Sequence, residues 1–203
     1  MDMIAILSEA AAESGCTQWG PIKTTDLNFY PEIRRICEGN SCRGYGRTWA
    51  CPPAVGTLEE CKDRVLKYRN FFLFSQKFQL EDSFDFEGME QGMRDFKDTV
   101  DRLADRIKPN FQEALILSNE GCGRCKTCTY PDAPCRFPDK LYPSIEGFGF
   151  IVSELAKLPG SDTITAPIRS HSLEQCCSKE DPDPLNRRFT SLKIPAIVLV
   201  FGC

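Results

Sequence analysis

Eight of the twelve cysteines form two groups of four, and this distribution constrains the fold more than any other sequence feature. The first quartet consists of Cys37, Cys42, Cys51 and Cys61. The second quartet lies in the segment GCGRCKTCTYPDAPCRFP and consists of Cys122, Cys125, Cys128 and Cys135. Thiols grouped in this way bind metal ions or iron–sulfur clusters. The chain must therefore fold so that each quartet can surround one bound group.

Composition predicts a globular, cysteine-rich protein. A chain of 203 residues with 41% hydrophobic residues can bury a core, so the cysteines are not needed merely as cross-links that stabilise the fold. The net charge of −4 argues against a nucleic-acid binder, which is normally basic. We expect a single metal-binding domain over residues 1–203, with a first cluster lobe at about 16–69 and a second cluster loop at about 119–143.

The start of the chain and its hydropathy indicate the compartment. No stretch approaches the ~18 apolar residues that span a membrane. The first segment, MDMIAILSEAAAESG, lacks the basic region of a secretory signal and is typical of an amphipathic helix. We therefore expect a cytoplasmic protein, in which thiols stay reduced and metal ligation is favoured over disulfides. A secreted disulfide scaffold is the alternative, and the oligomeric state is not indicated.

Local signals predict helices that alternate with strands. Pro31 is expected to begin a short helix that ends near Cys37. Thr57 and Glu60 form a capping box for the next helix, on whose inner face Cys61 would lie. The strongest helical stripe ends before a proline and consists of Met89, Met93, Phe96, Val100, Leu103 and Ile107. A further helix is expected to begin at Ser144, end at Gly160 and carry Ile145, Phe148, Val152 and Leu155.

Strands are expected at Asn70–Leu80, Glu113–Ser118 and Ile194–Phe201, with an edge strand at Thr163–Arg169. Pro195 is tolerable only near the start of the last strand, because proline lacks an amide hydrogen. Together these elements predict an α/β fold. It contains a small sheet of about three to four strands packed with helices, and two cysteine-rich cluster-binding loops.

The second quartet has the more diagnostic spacing, C-x2-C-x2-C-x6-C. Three cysteines at every third position suit the corners of a cube, and neighbouring glycines permit a tight backbone. The run resembles that of bacterial-type ferredoxins, in which proline follows the fourth cysteine directly and that cysteine serves the other cluster. Here Arg136 follows Cys135, which favours a self-contained quartet. The first quartet is supported by its context, CRGYGRTWACPP, more than by its spacing.

The alternative ligand for both quartets is Zn²⁺. Structural zinc needs four tetrahedral ligands, usually from two facing C-x2-C knuckles, and neither quartet contains two. His171 is the only histidine, which argues against a histidine-rich site. Four further cysteines are interpreted as ordinary thiols: Cys16, Cys176, Cys177 and Cys203. The adjacent pair, Cys176 and Cys177, could also bind metal or form a strained disulfide.

Side chains around the second quartet suit a negatively charged cluster. Basic groups would stabilise its charge, and aromatic rings would shield it from water or anchor the loop. The basic residues are Arg124, Lys126 and Arg136. The aromatic residues are Tyr130, Phe137 and Tyr142.

Two blocks carry a resemblance to a known family. CRGYGRTWACPPAVGTLEEC and GCGRCKTCTYPDAPCRFPDKLYPSIEGFGF resemble the domain-of-unknown-function 2284 family of predicted metal-binding proteins. The resemblance extends from about Cys37 to the last strand. It implies metal binding by these cysteines and gives no reaction.

Three functions follow as hypotheses. The first is an iron–sulfur protein with two [4Fe–4S] clusters that transfers single electrons to a redox partner protein. The second is a cluster-dependent reductase or a reductive activator of another metallocofactor, with the pair Cys176 and Cys177 as its sequence hint. The third is a zinc-stabilised four-cysteine interaction module. No sequence motif decides whether the protein is an enzyme.

Overall fold

The computed structural model describes residues 2–82, 84–119 and 121–155 and the backbone of 191–200. Its helices are α1 (Met3–Ser14), α2 (Pro31–Glu38), α3 (Leu58–Leu66), α4 (Phe86–Ile107) and α5 (Val152–Leu155). Its strands are β1 (Gln18–Ile22), β2 (Asn70–Gln79), β3 (Ala114–Ser118) and β4 (Ser191–Val200). Several predictions fall outside the described residues: the helix end at Gly160, the strand Thr163–Arg169, and His171, Cys176, Cys177 and Cys203.

Within the described residues, the strands form one antiparallel sheet in the order β1–β2–β4–β3. Strands β2 and β4 pair along their full length, from Asn70 opposite Val200 to Gln79 opposite Ser191. Strand β3 pairs with the last five residues of β4. The predicted α/β fold, a small sheet packed with helices, is confirmed.

The continuous apolar run in β2 arises because both faces of the sheet are covered. Phe72 and Phe74 belong to the core beneath α1 and α4. Phe71 and Leu73, which alternate with them, belong to the opposite core, which includes residues of α3 and α5. Side chains of a strand alternate between faces, so the sheet lies between two helical layers.

The helical stripe of α4 is confirmed in its central and last turns, where Phe96, Val100, Leu103 and Ile107 are buried. The prediction is wrong for Met93, whose side chain is 41% exposed. The buried line of the helix passes through Gly92 instead. Because neighbouring positions of a helix are about 100° apart, Met93 is turned away from the sheet.

The prediction for the segment after Ser144 is partly wrong. The Ser144 hydroxyl accepts a hydrogen bond from the Gly147 amide at 3.0 Å, as a cap would. The chain then makes only a 3₁₀ turn, Glu146–Phe148, before α5 begins. Gly149 interrupts the helix because its φ is +83°, a conformation that favours glycine.

Two strand predictions also needed correction. Residues 18–22, which were not among the expected strands, form β1 at the edge of the sheet. Pro21 is compatible with this edge position, where one side of the strand has no neighbour. Pro195 lies in the middle of β4 rather than near its start, opposite Ser75. Pro195 lies one residue outside the part of β4 that pairs with β3, so its missing amide hydrogen removes no hydrogen bond between these two strands.

The predicted capping box of α3 is confirmed. Thr57 Oγ1 accepts from the Glu60 amide at 3.2 Å, and Glu60 Oε2 accepts from the Thr57 amide at 2.7 Å. The helix buries Cys61 and Val65 against the sheet.

We predict that Thr57→Ala lowers the free energy of unfolding by about 0.5–2 kcal/mol, since the Glu60 amide loses its acceptor. Thr57→Ser keeps the hydroxyl and is the matched control, with little change expected. Denaturant unfolding followed by far-UV circular dichroism measures both variants. An unfolding midpoint in Thr57→Ala equal to that of the control would contradict a stabilising role for this cap.

Candidate metal centres

The second quartet surrounds one cavity. All four of its cysteines line a space of about 470 Å³, and each is half-buried. This volume is an order of magnitude larger than the ~30 Å³ that a water molecule occupies in the liquid. Among the described residues, no three Cys, His, Asp or Glu side chains form a group suited to a single metal ion.

Hydrogen bonds within the second loop hold its cysteines in place. The Ala133 amide donates to the Thr129 carbonyl at 2.9 Å, and Thr129 Oγ1 donates to the Pro134 carbonyl at 2.9 Å. Arg136 donates to the Thr127 carbonyl at 2.9 Å and closes the loop behind the cavity. The Phe137 amide donates to Cys135 Sγ at 3.4 Å, a bond of the kind that tunes cluster sulfurs.

An ion pair fixes this loop to α4. Both terminal nitrogens of Arg124 donate to the Asp101 carboxylate, at 2.8 and 2.5 Å, and its Nε donates to the Lys140 carbonyl at 2.8 Å. The Tyr142 hydroxyl donates to the same carboxylate at 2.9 Å. Arg124 also stacks on the Tyr142 ring, 5.4 Å from its centroid. Tyr142 therefore anchors the loop, which is one of the two roles expected for it, and Arg124 both anchors the loop and lines the cavity.

The network shifts the pKa values of its members. Burial alone would raise the pKa of Asp101, but hydrogen bonds from Arg124 and Tyr142 and the positive charges of Arg124 and Lys140 hold it below its usual value. Burial and the negative charge of Asp101 raise the pKa of Tyr142. Asp101 is thus ionised at neutral pH and balances the buried guanidinium.

The first lobe supplies one wall of the same cavity. Arg43, Arg47 and Trp49 line it together with the second loop. Trp49 Nε1 donates to the Ala133 carbonyl at 3.1 Å, and its ring meets Tyr130 edge-on at 4.9 Å. No sequence signal indicated this convergence, because the two segments lie about 80 positions apart.

Two cysteines of the first quartet, Cys42 and Cys51, come together at Gly44. A Cβ at this glycine would lie 3.0 Å from Cys51 Sγ and 3.6 Å from Cys42 Sγ, so a larger residue would crowd both sulfurs. Cys37, in the last turn of α2, interacts electrostatically with both of them. Burial raises the pKa of the Cys37 thiol to about 11, and the charges of Glu146 and Cys42 contribute.

Cys61 has different surroundings. Its side chain is fully buried in the core beside α3, and its Sγ donates to the Val55 carbonyl at 3.4 Å. A second carbonyl, that of Gly147, lies 3.9 Å away. Burial raises the pKa of this thiol, which the charges of Arg34 and Arg64 oppose.

Two residues at the first quartet were missed from the sequence. Glu146 acts electrostatically on Cys37 and Cys51, and burial raises the pKa of its carboxyl to about 7. Its position in the apolar segment IEGFGF was the available signal. Arg34 donates to the carbonyls of Gly147 and Gly56, which joins α2 to the 3₁₀ turn.

The fold and these sites define a small cysteine-rich α/β protein whose thiol groups are suited to soft metals. The chain belongs to the family of predicted metal-binding proteins designated DUF2284, whose profile matches residues 20–175. This confirms the resemblance seen in the two cysteine blocks. Neither the curated proteins nor the solved structures gave a match. Among the described helices, none has the length and apolarity required to cross a bilayer.

We predict a coupling free energy of about 1.5–3 kcal/mol between Asp101 and Arg124 at pH 7, because their hydrogen bonds are charged and half shielded from water. A double-mutant cycle of Asp101→Asn and Arg124→Gln in denaturant unfolding measures it. The folded pKa of Asp101 is lowered, so the coupling is complete above the unfolded value of ~3.9 and is lost as the pH falls through the folded value. A coupling free energy near zero at pH 7 would contradict the role of this ion pair in fixing the second loop to α4.

Proposed function

We propose that this protein is an iron–sulfur protein that binds two [4Fe–4S] clusters and transfers single electrons to a redox partner protein. The observation that carries the proposal is the cavity of about 470 Å³ lined by all four cysteines of the second quartet. A bound cluster of this type supplies one-electron redox chemistry. The family description, predicted metal-binding protein, is less specific than this proposal.

The residues of the second site have separate roles in this proposal. Four thiolates hold the cluster: Cys122, Cys125, Cys128 and Cys135. The Phe137 amide stabilises charge on the Cys135 sulfur. Arg43, Arg47 and Lys126 line the cavity and would offset the negative charge of the cluster. Tyr130 and Phe137 also line it and limit the entry of water.

The first site would hold the other cluster. Cys42 and Cys51 meet at Gly44, Cys37 interacts electrostatically with both, and Cys61 completes the quartet in the sequence. Trp49 lies two positions before Cys51 and also forms a wall of the second cavity. The two proposed clusters would therefore be close enough for electrons to pass between them within one molecule.

The cysteine spacing favours a cluster over zinc. Structural zinc usually takes its four sulfur ligands from two facing C-x2-C knuckles, whereas the second quartet has three cysteines in one C-x2-C-x2-C arc. A reductase or an activator remains an alternative based on Cys176 and Cys177, which lie outside the described residues.

We predict that protein purified under anaerobic conditions is coloured, absorbs near ~400 nm and contains about eight iron and eight sulfide per chain. Metal and sulfide analysis with visible spectroscopy measures this. Anaerobic handling is essential, because air can destroy clusters and leave adventitious zinc. A colourless protein with stoichiometric zinc would contradict the proposal and support the interaction module.

We also predict that Cys125→Ala lowers the iron content from about eight to about four per chain, because only the second cluster loses a ligand. Cys16→Ala is the control, since Cys16 is buried in the apolar core beneath α1 and α4 and burial raises its pKa to about 12. It should keep all of its iron. Equal iron loss in both variants would indicate a general effect of cysteine removal and count against this assignment.

A further inference from the structure

The surface around the second cavity is basic, although the chain as a whole is acidic. The chain contains 25 basic and 29 acidic residues. Among the described residues, those that line the cavity include five basic side chains and no acidic one. The five are Arg43, Arg47, Arg124, Lys126 and Arg136. Positive charge is therefore concentrated where the second quartet lies.

Four of these five cations are exposed and carry uncompensated charge. Arg124 is the exception, because it is paired with Asp101 at 2.5 Å. Within the described part of the chain, no ion pair involves the other four, which are Arg43, Arg47, Lys126 and Arg136. Two acidic residues of the second loop, Asp132 and Asp139, lie outside the lining of the cavity. A molecule that approaches the cavity therefore meets positive charge first.

The same surface presents aromatic side chains. Phe137 is 46% exposed, and Trp49 and Tyr130 are half-buried with their rings edge-on at 4.9 Å. Arginine, tryptophan and tyrosine are enriched among the residues that contribute most to protein–protein binding. We call the four exposed cations and these three aromatic residues the cavity mouth. Its composition is that of a protein-binding surface with a basic character.

Negative charge is concentrated in a different part of the molecule. Residues 81–90 contain five acidic residues and no basic one. They lead into α4, which begins at Phe86, whereas the second loop is fixed to α4 at Asp101. These two positions are about 22 Å apart along the helix axis. A basic partner would be attracted to the acidic segment, away from the second quartet, and an acidic partner would be attracted to the cavity mouth.

On the basis of the proposed function, we infer that the redox partner is an acidic protein that docks on the cavity mouth and takes electrons from the second cluster. One electron leaves the reduced cluster and reduces the oxidised partner by one electron, and no bond forms or breaks. The four cysteines of this site are half-buried, so a docked protein comes close to the cluster without entering the core. Positive charge at the mouth orients the acidic partner and speeds its association, and salt screens this effect.

The test uses the iron-loaded protein and two electron acceptors that carry the same haem and opposite charge. Native cytochrome c is basic, and succinylated cytochrome c is acidic because its modified lysines carry carboxylates. The reduced protein should reduce the succinylated acceptor at a rate that falls at least about tenfold from low to high salt. The rate with the native acceptor should not fall. With both proteins oxidised, so that no electron passes, calorimetry should detect binding of the succinylated acceptor at low salt.

Two variants with equal net charge locate the binding surface. The test variant combines three charge reversals at the cavity mouth: Arg43→Glu, Arg47→Glu and Lys126→Glu. It should lose binding of the succinylated acceptor, and its rate should no longer fall with salt. The control variant combines three charge reversals at exposed positions outside the cavity: Lys67→Glu, Arg69→Glu and Lys77→Glu. It should still bind this acceptor and should still be slowed by salt.

Iron is measured in every preparation before any acceptor is added. If the test variant loses iron, glutamine replaces glutamate at the same three positions, and if that variant also loses iron, the salt dependence of the wild-type protein decides. A wild-type rate with the succinylated acceptor that is unchanged or rises with salt would overturn the inference. Equal loss of binding in the test and control variants would also overturn it, as would preferential binding of native cytochrome c. Wild-type protein without iron contradicts the proposed function itself, which is a separate result.

Discussion

Burial of both faces of the central sheet is the constraint on which both cysteine loops depend. The second loop follows the end of β3, and the ion pair between Arg124 and Asp101 fixes it to α4 on one face. The first lobe leads into α3 on the opposite face. Trp49 reaches from that lobe to the Ala133 carbonyl. The two loops therefore meet, although the helices to which they are attached cover opposite faces of the sheet.

The electrostatics of the two quartets differ. Burial raises the pKa values of Cys37, Cys51 and Cys61, so these thiols are protonated at neutral pH until a cation binds. Metal binding there must release protons, and the affinity must rise with pH. At the second quartet, basic residues such as Arg43 and Lys126 line the cavity and would offset the negative charge of a bound group.

Local sequence signals were sufficient to predict many of the helices and strands. The apolar run of β2, the capping box at Thr57 and the periodicity of α4 depend on nearby residues, and each predicted its element. Strand β1 was missed because Gly20 and Pro21 weaken its pattern, and only pairing with β2 stabilises it. The helix expected from Ser144 is interrupted at Gly149, where a Cβ would lie 2.5 Å from Leu58 of a distant segment.

The same distinction between local and long-range determinants applies to the two quartets. Its cysteines lie within one loop, so their spacing largely determines which sulfurs meet. The first quartet is distributed over α2, the loop after it and α3, so tertiary packing decides which groups converge. Packing places Cys61 among apolar side chains and brings Glu146 within electrostatic range of Cys37. A spacing pattern identifies candidate ligands by residue type, whereas tertiary packing determines which of them meet at a dispersed site.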